Sequence, residues 1–156
     1  MKILFLVNWK VEYCNEVPEN KQPPDYYIEN SKYWFFRHFP ENEHIDVDVV
    51  DISSLPLFEN FEKNKLRFYV IQTLKILPKI KKYDLILSHG MQSGILLSLL
   101  RRVLKINKPK HIVFDIGAFN SAKESGIMLK LMQFASKSLD GLIHHMSAQK
   151  TYYEKF

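Results

Sequence analysis

Short, uninterrupted apolar runs alternate along this chain with longer stretches of helical periodicity, and that alternation leaves few architectures open. The first run, Ile3-Leu4-Phe5-Leu6-Val7, is apolar at every position, as a strand must be when both faces of its sheet are covered. Ile45, Val47 and Val49 alternate with Asp46 and Asp48, the pattern of a half-exposed strand near a sheet edge. Residues 84–88 (D-L-I-L-S), 111–116 (H-I-V-F-D-I) and 141–144 (G-L-I-H) supply three more strands. Between them the spacing predicts helices. Residues 30–39 form a short one ending at Pro40, and 60–82 a long basic one that Pro78 kinks or restarts. Residues 93–105 carry a stripe of Leu96, Leu99, Leu100, Val103 and Leu104. A Ser121-x-x-Glu124 capping box opens a helix through about 137, with Met128, Leu131, Met132 and Ala135 inward. Ser147 caps a final helix through Glu154. Strands alternating with helices imply right-handed βαβ crossovers. The expected fold is therefore a single α/β domain, residues 1–156, with a three-layer, Rossmann-like, doubly wound parallel sheet flanked by helices.

Composition agrees with one globular domain. At 156 residues the chain matches the ~150-residue prior for a domain. Its 46% hydrophobic and 25% charged residues exclude disorder and collagen-like repeats. A single cysteine, Cys14, excludes an intramolecular disulfide and a Cys-rich metal site. Lys and Arg exceed Asp and Glu by 22 − 17 = 5, a modest attraction for phosphates or anionic lipid. The first apolar run is too short for a signal-peptide core. The uncharged stretch 85–100 is broken by Ser88, His89, Gly90, Gln92, Ser93 and Gly94, and falls short of the ~18 apolar residues of a membrane span. A cytoplasmic domain is expected.

In such a sheet, ligands bind beyond the carboxyl ends of the strands, where the strand order reverses. The strand ends nominate Asn8, Trp9 and Lys10, then Asp51, His89 and Gly90, Asp115 to Asn120 with Gly117 among them, and His144 to Ser147. The segment 9–29 has no glycine and three prolines, Pro18, Pro23 and Pro24, and a loop of that length is functional or disordered. Both G-x-G-x-x-G and G-x-x-x-x-G-K-[ST] are missing, which disfavours dinucleotide and P-loop phosphate binding. His89 is the leading candidate, because a neutral imidazole at a strand end can hydrogen-bond a sugar hydroxyl or a phosphate. The competing assignment is a histidine satisfied by a neighbouring loop. Asp115 either caps loop amides or faces a polar ligand.

His144 and His145 point to opposite faces of their strand, so no metal site is expected. Phe35, Phe36 and Phe39 read as a core stripe rather than a membrane-surface helix, with Trp34 unassigned. Arg101, Arg102, Lys105, Lys108 and Lys110 read as a solvated helix end whose cations complement the dipole, with contact to anionic lipid or phosphates as the alternative. No base-reading motif accompanies them, so no nucleic-acid partner is expected. Ser88 and Cys14 lie in no nucleophile motif.

Three segments carry a family resemblance: residues 1–7 (M-K-I-L-F-L-V), 83–94 (Y-D-L-I-L-S-H-G-M-Q-S-G) and 140–150 (D-G-L-I-H-H-M-S-A-Q-K). Together they resemble the amino-terminal half of nucleotide-sugar-dependent glycosyltransferases of the GT-B fold, the retaining group called family four. The resemblance implies that His89 lies near the transferred sugar and that Ser147 opens the helix after the fifth strand. It implies an acceptor-side cleft served by Asn8, Trp9, Lys10, Gly90, Asp115, Gly117 and Asn120. It also implies a hexosyl transfer with retention, a nucleotide sugar as co-substrate rather than a cofactor, and no metal. The acceptor is expected to be a glycan or a lipid-linked sugar of polysaccharide biosynthesis. A C-terminal donor-binding domain would complete the enzyme, and without it this part would catalyse little. An exposed apolar face on Tyr152, Tyr153 and Phe156 would await that domain. The location implied is cytoplasmic, with peripheral contact at the inner face of the membrane. Two departures stand out: the family's first loop is glycine-rich, and its fourth strand leads to a histidine where this chain has Asp115. The alternative is a stand-alone flavodoxin-like module that binds a small ligand or a protein without chemistry, with a closed, well-packed final helix.

Overall fold

The computed structural model describes residues 1–40, 44–54, 56–66, 68–115 and 125–154. In chain order these form β1 (Lys2–Leu6), β2 (Glu12–Cys14), β3 (Tyr26–Ile28), β4 (Asp46–Val50), α1 (Pro56–Phe61), α2 (Val70–Ile76), β5 (Leu85–His89), α3 (Met91–Val103), β6 (Lys110–Asp115), α4 (Ile127–Ser136), β7 (Gly141–His144) and α5 (Ser147–Tyr153). A π-helical turn, Glu62–Leu66, continues α1, and 3-10 turns cover Trp34–Phe36 and Leu77–Lys82.

Five strands form a parallel sheet in the order β4-β1-β5-β6-β7. The chain is α/β and Rossmann-like. Chain order runs one way from β1 to β4 and the other way from β5 to β7, so the reversal falls between β1 and β5. In the flavodoxin-like strand order this is where a ligand crevice opens.

The pleat of β1 divides the core. Ile3, Phe5 and Val7 join Val49 and Leu87 on one face, under Tyr33, Phe36 and Val11. Leu4 and Leu6 join Ile86 on the other, under Ile76, Ile80, Tyr83 and Leu97. A third cluster, Met91, Ile95, Val113 and Ala135, continues that second layer beneath α3 and α4. Residues 3–7 are at most 2% exposed, and each such side chain contributes ~1.5–3 kcal/mol of burial. That is why an all-apolar strand has to be central.

Several helical faces differ from the periodicity. The buried face of α3 is Met91, Ser93, Gly94, Ile95, Leu97, Ser98 and Arg101, while Val103 and Leu104 are exposed and Leu96, Leu99 and Leu100 are half-buried. Small residues win this face because the helix lies very close to the sheet. A Cβ at Gly94 would stand 2.6 Å from Val113 Cγ2. Two of its polar residues, Ser98 and Arg101, are held there by partners. Ser98 Oγ and Ser88 Oγ flank the fully buried His111 ring at 3.3 and 2.8 Å, and Arg101 Nη2 donates to the Pro109 carbonyl at 2.6 Å. Arg101 is 1% exposed, not part of a solvated cluster. On α4, Ala135 is buried and Met132 is packed against the core, but Met128 and Leu131 face outward.

The expected helix over 60–82 is broken into α2 and two irregular turns, with Pro78 inside the second. The expected helix over 30–39 is only a 3-10 turn, with Phe36 buried, Phe35 packed against it and Phe39 exposed. The Ser121–Glu124 box lies outside the described residues. Ser147 starts α5 without capping it; Gln149 Oε1 instead accepts from the amides of His145 and Met146 at 2.7 and 2.8 Å. Tyr152 is buried and Tyr153 half-buried, contrary to an exposed apolar face there, and Phe156 lies outside the described residues.

Candidate functional site

The glycine-free segment after β1 is ordered by its aromatic residues. β2 and β3 pair in parallel as a short ribbon, and Tyr13 donates from its hydroxyl to the Val49 carbonyl at 2.5 Å. Trp9 Nε1 donates to the Pro24 carbonyl and to Tyr33 Oη, both at 3.2 Å, and Tyr33 Oη donates to the same carbonyl at 2.8 Å. Burial pushes the Tyr13 and Tyr33 hydroxyls up to about 12, so both remain donors. Trp9 is thus a fixed wall at the end of β1.

Against that wall lies His89, the last residue of β5. The pleat turns Ser88 toward the helical layer and His89 toward the aromatic one, where its ring stands 4.5 Å from the Trp9 ring, edge to face. Phe5 and Phe35 approach at 6.3 Å and Phe114 at 6.5 Å. Burial among these rings lowers the His89 pKa to about 4; a backbone hydrogen bond at residue 89 opposes the shift, and the neighbouring charge of His145 adds to it. The imidazole is therefore neutral at ordinary pH.

Asn8 sets its tautomer. The carbonyl Oδ1 of Asn8 lies 3.2 Å from His89 Nδ1, and an amide oxygen only accepts, so Nδ1 carries the proton. Nε2 is left as an unprotonated acceptor, and no described residue hydrogen-bonds to it. Asn8 is held in place by the turn beyond β5. Gly90 has φ of +105°, a conformation that side chains disfavour, and a Cβ there would meet Asn8 Nδ2 at 3.1 Å. The Gly90 amide donates to the Phe114 carbonyl at 2.9 Å, fastening the turn to β6.

Of the residues the sequence nominated, Asn8, Trp9, His89 and Gly90 converge at the reversal between β1 and β5. Others turn elsewhere. Lys10 Nζ is 2.8 Å from Glu59 Oε1. Asp51 accepts from the Val11 amide and from the amide and hydroxyl of Ser53, closing the turn after β4. Asp115 is fully buried beneath α5, where Oδ2 accepts from Gln149 Nε2 at 3.0 Å and Tyr153 Oη at 2.7 Å. These bonds tie the last helix to the end of β6. Ser147 is exposed on the first turn of α5. Gly117 and Asn120 lie outside the described residues.

The sequence did not single out Phe35 or Phe114 as neighbours of His89. Their only signal was apolarity, shared with the whole core. Chemically, the rim offers one neutral acceptor nitrogen of fixed orientation beside an indole wall, suited to a hydroxyl donor. Comparison of the chain with family models, with curated proteins and with solved structures returned no match.

Proposed function

We propose that this chain is the acceptor-side half of a nucleotide-sugar-dependent glycosyltransferase, with His89 touching the sugar undergoing transfer. One observation carries it: a neutral imidazole at the strand-order reversal commits its Nδ1 proton to Asn8 and leaves Nε2 to accept from a sugar hydroxyl. Trp9 supplies the apolar surface on which the C–H face of a hexose ring rests. In the transfer, the bond from the anomeric carbon to the diphosphate breaks and the acceptor oxygen bonds to that carbon on the same face. The acceptor's proton leaves with the diphosphate, so His89 holds a hydroxyl and is not required as a base. A C-terminal domain would hold the donor nucleotide, and a glycan or lipid-linked sugar of polysaccharide biosynthesis would be the acceptor, at the cytoplasmic face of a membrane.

A second reading has its own support. The packed α5, with Tyr152 buried and Tyr153 bonded to Asp115, suits a stand-alone module that binds without chemistry.

The test is an NMR titration of the 156-residue chain with UDP-glucose, GDP-mannose and methyl hexosides, following the His89 ring and the Trp9 indole. Saturable shifts of both rings are expected in the wild type, and loss of the Trp9 indole shift in His89→Ala. In the natural protein the same substitution should lower transfer about tenfold, the value of one directed hydrogen bond. Saccharides that move neither ring, or an unaltered titration of His89→Ala, would overturn the assignment. Saturable binding without turnover in the natural protein would favour the module.

A further inference from the structure

The outward face of α4 is unusual for a helix on a sheet. Ile127, Lys130, Leu131, Phe134 and Lys137 recur at spacings of three and four, which places them on one side of the helix, and all five are exposed. Ile127 is 83% exposed, Phe134 44% and Leu131 40%. The opposite side, with Ala135 buried and Met132 packed inward, already satisfies the core. Beside this face runs the end of α3, with Val103 and Leu104 exposed at 60% and 56%. Arg102 lies between the two helices, its guanidinium 5.6 Å above the Phe134 ring.

Among the described residues of α3 and α4 the ionised side chains have one sign. Between Ser125 and Leu139, and again between Leu85 and Phe114, the sequence holds no Asp or Glu. The flanking Asp140 is engaged by the His111 amide at 2.8 Å and lies 3.9 Å from Arg101. Apolar side chains fringed by cations, on a helix lying flat, match an interfacial membrane element. No helix among the described residues is long and apolar enough to cross a membrane. A second copy of the chain fits poorly, because a two-fold contact through this face would bring the cations of one copy against those of the other.

We propose that the outward face of α4, together with the adjoining end of α3, docks onto an anionic lipid surface, with Ile127, Leu131 and Phe134 entering the headgroup boundary and Arg102, Lys130 and Lys137 meeting lipid phosphates. This does not rest on the glycosyl-transfer reading, since none of these side chains belongs to the His89 rim.

The experiment is co-sedimentation of the full chain with vesicles of phosphatidylcholine alone, and of phosphatidylcholine with phosphatidylglycerol in equal parts, at low and high salt. Binding to the anionic vesicles only, weakened by salt, is expected. Lys130→Gln/Lys137→Gln should weaken it about fivefold per lysine, about 25-fold together. Ile127→Ser/Phe134→Ser should abolish the residual binding at high salt. All four positions are exposed, and unchanged circular dichroism would verify folding of each variant. Equal binding to both vesicle types, or wild-type binding by the lysine variant, would overturn the proposal. So would light scattering that shows a dimer dispersed by Ile127→Ser/Phe134→Ser in a chain that ignores vesicles.

Discussion

Gly94→Ala separates two effects of opposite sign. Gly94 is in the first half of α3, where alanine is the better helix former by ~1 kcal/mol. If α3 stood at an ordinary distance from the sheet, the substitution would stabilise the protein by about that amount. The new methyl would instead lie 2.6 and 3.0 Å from the two Cγ atoms of Val113 and 3.3 Å from Ser88 Cβ. Carbon atoms prefer ~3.5–4.0 Å, so an overlap of about 1 Å must be relieved by moving α3 or reorienting Val113. Both neighbours belong to central strands, so neither yields cheaply. Overpacking of this kind costs ~1–3 kcal/mol. With the contact near its tight end, the net expectation is a loss of about 1–2 kcal/mol. In urea denaturation that lowers the midpoint by roughly 0.5–1 M. Adding Val113→Ala removes the clashing methyls, so the double variant should be more stable than the sum of the two single losses by about 1 kcal/mol. A Gly94→Ala protein more stable than wild type, or losses that simply add, would refute the close approach of α3.

Two further outcomes follow from the buried polar groups. His111 is pushed down to about 3 by burial, with Arg101 nearby adding to the effect. The unfolded chain therefore takes up a proton at pH values where the native protein does not, and the stability held by neutral His111 is complete above pH ~6.5 and is lost toward ~3. Urea midpoints between pH 7 and 4.5 should fall more steeply for wild type than for His111→Gln, by up to ~1.4 kcal/mol per pH unit; equal slopes would refute this. Asp115→Ala removes the acceptor shared by Gln149 and Tyr153, and should cost ~2–4 kcal/mol. Amide hydrogen exchange in residues 147–153 should accelerate at least tenfold, and unchanged exchange there would contradict an anchoring role.

The strands were legible in the sequence because burial on both faces forces unbroken apolar runs. The predicted 141–144 coincides with β7, and the run 3–7 is offset from β1 by a single residue. Helix faces were less legible. Leu96, Leu99 and Leu100 advertise an apolar stripe, yet the sheet beneath offers His111 and Ser88, which demand hydroxyls, and leaves room only for Gly94 opposite Val113. Periodicity cannot register a partner that long-range topology supplies. The same reason hid the order in residues 9–29, where Trp9, Tyr13 and Tyr33 depend on the Pro24 and Val49 carbonyls. His89 and Asn8 were each identifiable as strand ends. Their contact was not, because it spans 81 residues and exists only because β5 lies beside β1.

Strand adjacency links the core to the chemistry of the rim. Ser88 and His89 are consecutive on β5, so the pleat sends them to opposite layers. Ser88 is tied to His111 on β6 beneath α3, and the Gly90 amide is tied to the Phe114 carbonyl on the same strand. His89 therefore stands between two fixed points and has little freedom to follow a ligand. Its environment must instead be right in advance. Burial against Trp9, Phe5 and Phe35 opposes protonation, while the Asn8 amide oxygen favours a proton on Nδ1 in either charge state. Because that oxygen is neutral, it cannot offset the loss of solvation as a carboxylate would, and desolvation wins, at about 4. An aspartate in place of Asn8 would reverse that balance and turn Nε2 into a donor. The amide at position 8 is therefore as decisive as the imidazole for what the rim can hold: it orients the ring without charging it, and so keeps Nε2 an acceptor for a hydroxyl instead of a cationic site for a phosphate.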